Sequence, residues 1–377
     1  MFFRDVIDQS FIKQKLIHAV NEGRVAHAQL FLGENGTGGL PLALAYAQYV
    51  NCTNRQETDS CGECPSCHKM MTFNHPDLHF SFPFISTKSG GSNTESTEYY
   101  KEWKEAINEN PYLNYTDWMD AINAENKQGN ITTHECRSII KRLSLKPMYE
   151  GFKILILWLP EYLGNSGNIL LKSLEEPPEN TLFLLVAQNE EMILPTILSR
   201  TQMTRIPRLS ERDITERLVS AFGLGNEEAN RLALLSEGNY NDAMKLMQST
   251  ENDYSREFIE WMRMCFALNM PAILKWVDAM AGTGRENQKS FLAYSIGLLR
   301  ECLLNNKQLP ELNRVLESEK DFVSKFSPFV NEGNIYDLIK HFNESHYFIE
   351  RNAHPKILFF NLSLLIHELL KRENVMA

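Results

Sequence analysis

A chain of 377 residues with 43% hydrophobic side chains is long enough for two or three domains with ordinary cores. Its formal charge of −10 and isoelectric point near 5.6 exclude a protein that grips nucleic acid chiefly through its own basic surface, so any such contact is local or shared with partners. The apolar stretch 357–370 is broken by Asn361, Ser363, His367 and Glu368 and is too short and polar to span a bilayer. No basic region followed by a long apolar run opens the chain, so a cytoplasmic protein without a signal peptide is expected.

Residues 12–20 carry apolar side chains at helical spacing, residues 28–32 are a short apolar run suited to a strand, and residues 40–50 resume the helical pattern. Between that strand and that helix lies Gly33-Glu34-Asn35-Gly36-Thr37-Gly38-Gly39-Leu40. Strand, glycine turn and helix form the context of a phosphate-binding loop. Its glycines let backbone N–H groups approach phosphate, its lysine reaches the β and γ phosphates, and its hydroxyl residue holds Mg²⁺. Here Gly33, Gly36 and Gly38 keep the register, Gly39 stands at the lysine position and Leu40 at the hydroxyl position. Both groups that read and activate a triphosphate are absent. ATP binding by this chain is therefore doubtful, and the simplest reading is a structural or regulatory member of an assembly whose other subunits hydrolyse the nucleotide.

Four of the seven cysteines follow: Cys52, Cys61, Cys64 and Cys67, with Gly62 and Pro65 in the turns between them. Four thiolates close a tetrahedral Zn²⁺ site and leave no position open for catalysis, so the spacing predicts a structural zinc module at about residues 51–68. The competing readings are four unconnected buried cysteines or a redox Cys-x-x-Cys pair. His68 is expected on the surface.

Residues 85–130 are polar and mixed, opening on Ser86-Thr87-Lys88-Ser89-Gly90-Gly91-Ser92-Asn93, and are expected to form a surface insertion with a flexible loop and short helices around Trp103 and Trp118. Trp103, Tyr112, Tyr115 and Trp118 could there anchor a partner. A helix over 133–143, capped by Thr132 or Thr133, is followed by a buried-strand pattern at 153–159 and a helix over 168–175 that Pro177-Pro178 stops. Further strands are expected at 182–187 and 203–206, and their alternation with helices predicts an α/β fold built on a parallel sheet. The strand at 153–159 should end in an Asp-Glu pair if the chain hydrolysed ATP. It has Trp158-Leu159 instead, and Glu161, beyond Pro160, is the only acid nearby. Past Pro207 the pattern is helical throughout: 214–222, 227–236 and 241–247, then 258–268, 271–280, 290–304, 336–343 and 356–371.

One arginine stands out: Arg200, in Ser199-Arg200-Thr201 after Leu194-Pro195-Thr196-Ile197-Leu198. An arginine at the mouth of a nucleotide domain can stabilise a neighbour's γ-phosphate. The residues alone do not separate that role from an ordinary surface arginine.

Taken together, His27-Ala28-Gln29-Leu30-Phe31-Leu32-Gly33, the four-cysteine module after the loop helix, His75-Pro76-Asp77-Leu78, Leu170-Leu171-Lys172-Ser173-Leu174-Glu175-Glu176-Pro177-Pro178 and Leu194 to Arg200 resemble the bacterial clamp-loader AAA+ subunits. The motifs cover about residues 1–250; the helical remainder fits the family's collar domain in length and class only. The resemblance is to the δ′ branch, which has degraded nucleotide motifs. It implies a parallel-sheet AAA+ domain at 1–207 with an inserted zinc module and the polar insertion, a small helical lid at 208–250, and an all-α collar at 251–377. It further implies a place beside δ and γ/τ in a ring that opens the sliding clamp and sets it on primed DNA, with no membrane involved. Arg200, with Ser199, would be the arginine finger acting in trans. Cys52, Cys61, Cys64 and Cys67 match the family's zinc module, and Gly33, Gly36, Gly38 and Gly39 its degenerate loop. Asn241, in Gly238-Asn239-Tyr240-Asn241-Asp242-Ala243, falls where active members carry the sensor 2 arginine. Thr201 departs from the usual Ser-Arg-Cys, and the 85–130 segment is longer than the family leads one to expect. The alternative is an ATP-hydrolysing γ/τ-like motor with an altered P-loop that recruits Glu161; a zinc-dependent nucleic-acid reader is a third reading, weakened by the acidic charge.

Overall fold

Strands with nearly unbroken apolar sequence must be covered on both faces, as a parallel sheet allows. The sheet here has five strands, numbered in chain order: β1 (Ala28–Leu32), β2 (Leu78–Ser81), β3 (Lys153–Trp158), β4 (Thr181–Ala187) and β5 (Gln202–Arg205). The computed structural model describes residues 1–86, 94–124, 127–248, 254–307, 320–351 and 353–372. All four strand pairings are parallel, in the order β2-β3-β4-β1-β5. Every residue of β1, β3 and β4 is buried, whereas the edge strand β5 is polar and partly exposed. Alternate residues face opposite ways. Phe31, Ile156, Trp158 and Leu184 join one core and Leu30, Leu155, Leu157 and Phe183 the other.

The helices of the first half are α1 (Ser10–Asn21), α2 (Gly39–Val50), α3 (Pro65–Met71), α4 (Tyr100–Glu109), α5 (Tyr115–Ala121), α6 (Thr133–Leu143), α7 (Leu171–Glu175) and α8 (Pro195–Leu198). Beyond them come α9 (Glu211–Phe222), α10 (Asn226–Leu235) and α11 (Tyr240–Gln248). Ser210 caps α9 by accepting from the Asp213 N–H, and Gly223 ends it at φ 67°. Among the elements that escape the sequence reading are β2 and α3. The strand β2 is only four residues long, its apolar Leu78 and Phe80 separated by His79. The short α3 begins on Cys64 and hides inside the cysteine spacing. The helix expected at 168–175 is α-helical only over α7; its first residues belong to a run of 3₁₀ turns over Pro160–Leu170, broken at Gly164 (φ 49°, ψ −140°).

The largest departure is the insertion. Residues 87–93 and 125–126, which include the Ser/Gly patch expected to be flexible, lie outside the described residues. The rest is no surface excursion. Trp103 and Trp118 are fully buried and Tyr112 is 5% exposed, so none of the three is available as a surface anchor; Tyr115, half-buried, stacks on Tyr162 at 4.4 Å. Trp103 stacks on Phe82 at 4.3 Å and meets Trp158 at 5.1 Å, and the Trp118 indole N–H donates to Pro83 O at 2.6 Å. The polar composition concealed one apolar face: Trp103 and Ile107 lie four residues apart on α4, against the sheet, while Lys101 and Glu105 point to water.

The chain divides into two compact units, Met1–Met244 and Lys245–Ala377. The second contains α12 (Tyr254–Ala267), α13 (Met270–Gly282), α14 (Arg285–Asn306), α15 (Lys320–Phe326), α16 (Ile335–Glu350) and α17 (Pro355–Leu370). Trp261 stacks on Trp276 at 4.5 Å in its centre and donates to Ser363 Oγ at 2.9 Å. The helix α16 outruns its expected end because Ser345 and Ile349 continue the buried face of Leu338 and Phe342. Among the described residues no helix is long and apolar enough to cross a membrane.

Candidate functional site

The glycine loop lies at the carboxyl end of β1, where parallel sheets place ligands. The Gly33 N–H donates to Ala187 O at 3.0 Å, tying the loop to β4. Gly36 (φ 69°) and Gly38 (φ 103°) take left-handed conformations, and Gly38 caps α2. Gln9 Nε2 donates to Thr37 O at 3.3 Å and to Pro207 O at 3.0 Å, holding the loop from behind. At position 39 a Cβ would lie 3.1 Å from Val186 Cγ1, so a lysine fits only if Val186 gives way. Leu40 is 4% exposed and belongs to the core. Position 39 thus lies against Val186 and position 40 in the core.

The end of β3 carries no acid. Trp158 and Leu159 are buried, and Leu159 turns the chain at φ 56°. Glu161 Oε1 accepts from the backbone N–H groups of Gln188 (2.5 Å) and Asn189 (2.8 Å), while Oε2 is buried with no hydrogen-bond partner among the described residues. Burial raises its carboxyl above the usual range, against the pull of those N–H groups. Glu161 thus holds the end of β4.

The start of α11 reaches the loop directly. Tyr240 N–H donates to Gly36 O at 3.2 Å, and a Cβ on Gly36 would collide with Asn239 Oδ1 at 1.7 Å. Asn241, 1% exposed, accepts from Asn110 Nδ2 at 2.6 Å and donates to Asp117 Oδ2 at 2.6 Å. Tyr112 lies against Gly38, its Cε1 3.3 Å from where a Cβ would be, and packs edge-on to Tyr240 at 4.9 Å; its hydroxyl accepts from the Ile7 N–H at 2.8 Å. What remains open is a cavity of about 350 Å³ whose lining includes Glu34, Gln188, Arg208, Glu237 and Asp242. Arg208 is engaged with Glu34 through Nε (2.9 Å) and Nη2 (2.5 Å).

Arg200 follows α8 at the surface, its side chain 29% exposed. Its Nε donates to Glu175 Oε1 at 2.6 Å, its Nη2 pairs with the same carboxylate, and its Nη1 donates to Thr196 O at 2.8 Å and Ser199 Oγ at 3.2 Å. Ser199 therefore steadies the guanidinium. Glu175, which ends α7, was not singled out by the sequence, though it stands in the Leu-Glu-Glu-Pro-Pro motif.

The four cysteines converge. The Sγ atoms of Cys52, Cys61, Cys64 and Cys67 all lie within 4.8 Å of one another, with 3.5 Å between Cys52 and Cys61 and 4.0 Å between Cys61 and Cys67. Tetrahedral Zn²⁺ with Zn–S near 2.3 Å would separate its sulfurs by about 3.8 Å. Backbone N–H groups point at the sulfurs: Cys61 to Cys52 (3.3 Å), Cys64 to Cys61 (3.3 Å) and Cys67 to Cys64 (3.4 Å). Burial alone would raise the Cys64 thiol, but hydrogen bonds from Thr53 and the Cys67 N–H outweigh it and lower it to about 6. The donor set and its spacing suit Zn²⁺. His68 is exposed, as expected.

Residues 8–210 match the family model described as DNA polymerase III, delta subunit. The chain belongs to this family. It is thereby a member of the clamp-loader AAA+ subunits of DNA polymerase III. Among its relatives, the tau subunit of Bacillus subtilis is 24% identical over 95% of this chain and 60% of its own length. The delta′ subunit of Haemophilus influenzae is 24% identical over 82% of each chain, and that of Escherichia coli 25% identical over 71% of this chain and 72% of its own. This clamp-loader subunit spans only 60% and 30% of the Bacillus subtilis tau and Haemophilus influenzae tau/gamma proteins that it matches.

Proposed function

We propose that this chain is the non-hydrolysing δ′ subunit of the clamp loader. It assembles with δ and γ/τ into the ring that sets the sliding clamp on primed DNA, and Arg200 is presented as an arginine finger to a neighbour's ATP. The observation that carries this reading is the replacement of catalytic positions by packing. Gly39 abuts Val186, Leu40 is core, β3 ends on Trp158-Leu159, and the sensor position holds a fully engaged Asn241. A γ/τ-like motor would need Glu161 in contact with water, and that carboxylate is buried with Oε1 held by the Gln188 and Asn189 backbone.

Arg200, by contrast, keeps a surface position with its guanidinium pre-set by Glu175, Thr196 and Ser199, an arrangement suited to meeting an anionic phosphate from outside. The division of labour is a nucleotide-binding-like domain at 1–207, a lid at 208–250 and a collar at 251–377. Cys52, Cys61, Cys64 and Cys67 would hold a Zn²⁺ that contributes stability and no catalysis. The test is ATP hydrolysis by a complex reconstituted with δ and γ/τ on clamp and primed DNA, comparing this chain alone, the wild-type complex and Arg200→Ala. An inert isolated chain and an impaired variant complex support the reading; turnover by the isolated chain, or an unimpaired variant complex, overturns it.

A further inference from the structure

We propose that the segment running from the end of α4 into α5 is a permanent internal clasp, holding the start of α11 to the glycine loop where a subunit that binds nucleotide would use the nucleotide itself. The inference rests on the reading that this chain does not bind ATP, and it names what takes ATP's place.

The glycine loop, the N-terminal segment and the start of α11 converge on one side chain. Tyr112 touches all three, at Gly38, at the Ile7 N–H and at the ring of Tyr240. Its burial at 5% exposure and its accepted hydrogen bond make it a fixed part of the interior. Burial also drives its hydroxyl well above the ordinary tyrosine range. Beside it, Asn110 and Asp117 satisfy both ends of the Asn241 amide, so the first turn of α11 is fastened to the insertion by two hydrogen bonds of 2.6 Å. Such bonds are costly to break once buried, because each leaves an unpaired polar group. The open remainder of the cleft is hostile to phosphate: Glu34, Glu237 and Asp242 line it, and the Arg208 guanidinium is already committed to Glu34. A nucleotide entering here would have to break the Arg208–Glu34 pair and face the Glu237 and Asp242 carboxylates. The lid of this chain is thus closed by its own sequence, and its position does not report nucleotide state.

Amide hydrogen exchange of the intact chain tests this with readouts at residues 33–40 and 240–248, with and without millimolar MgATP. The expected result is strong protection of both segments in the wild type, unchanged by ATP. Tyr112→Ala, and Asn241→Asp, which sets a second carboxylate against Asp117, should speed exchange in both segments about tenfold or more while residues 254–267 stay at the wild-type rate. Asn241→Asp preserves side-chain shape and carries the test alone if Tyr112→Ala does not fold. Protection of the wild-type cleft by ATP, or wild-type exchange in the folded variants, would overturn the proposal. The δ′ assignment fails or stands separately, through Arg200 and turnover by the complex.

Discussion

Arg200 lies close to a carboxylate of its own chain. Glu175 takes Nε and Nη2 of the guanidinium, and Thr196 and Ser199 take Nη1, so all three of its nitrogens are engaged before any partner arrives. Exposed pairs of this kind contribute little to stability. Arg200→Ala is therefore expected to leave the thermal midpoint of the isolated chain within a few degrees of wild type. At the neighbouring ATP site proposed for it, the same substitution should lower turnover by about 10³. Melting and complex-dependent hydrolysis, measured on one preparation, separate the two effects; a large fall in melting temperature would place Arg200 among the structural residues. At the glycine loop, Gly39→Lys with Leu40→Thr is expected not to restore hydrolysis by the isolated chain. The new lysine displaces Val186, and neither the acid pair nor the sensor arginine returns with it. Measurable turnover by that double variant would show that the loop alone was the lesion.

At the scale of elements, the cysteine module and the insertion were legible to very different degrees. The module's chemistry lies in sequence-local spacing, and the four sulfurs meet as that spacing implies. Removing the metal by a chelator, or Cys64→Ser, is expected to release bound zinc and raise protease sensitivity between residues 51 and 68, as read by zinc release and cleavage mapping. Retention of both zinc and protection after Cys64→Ser would remove Cys64 from the ligand set. The insertion was misread because its mean polarity masks a period. Trp103 and Ile107, with Tyr100 against Phe80, commit α4 to the sheet, and Phe82 and Trp158 complete the aromatic cluster. Trp103→Ala should cost about 3–5 kcal/mol by denaturant melting; a cost typical of surface positions would mean that the cluster is not the anchor of the insertion.

For the molecule as a whole, acid stability has an identifiable contributor. His79 on β2 is held neutral by burial, with the Arg142 charge adding to the effect, and its pKa falls from the usual 6.5 to about 4. Between those values the unfolded chain binds a proton there and the folded chain does not. The contribution is thus complete above about pH 6.5 and is lost as pH falls toward 4, at up to about 1.4 kcal/mol per unit. His79→Gln should flatten the stability profile in that window; an unchanged slope would assign the loss to other groups.

By itself the sequence determined what depends on neighbours along the chain: the strand, glycine turn and helix of the loop, the apolar runs of β1, β3 and β4, the cysteine spacing, and the absence of lysine, hydroxyl and acid pair. These are local patterns, and steric and hydrogen-bonding rules act on them before any fold exists. Only the tertiary structure decided that Asn241 is spent on residues 131 and 124 positions away, that Tyr112 enters the cleft, that Glu161 holds β4 and that Glu175 steadies Arg200. Those partners are chosen by the sheet order and by which face of α4 is buried, so no periodicity in the chain announces them.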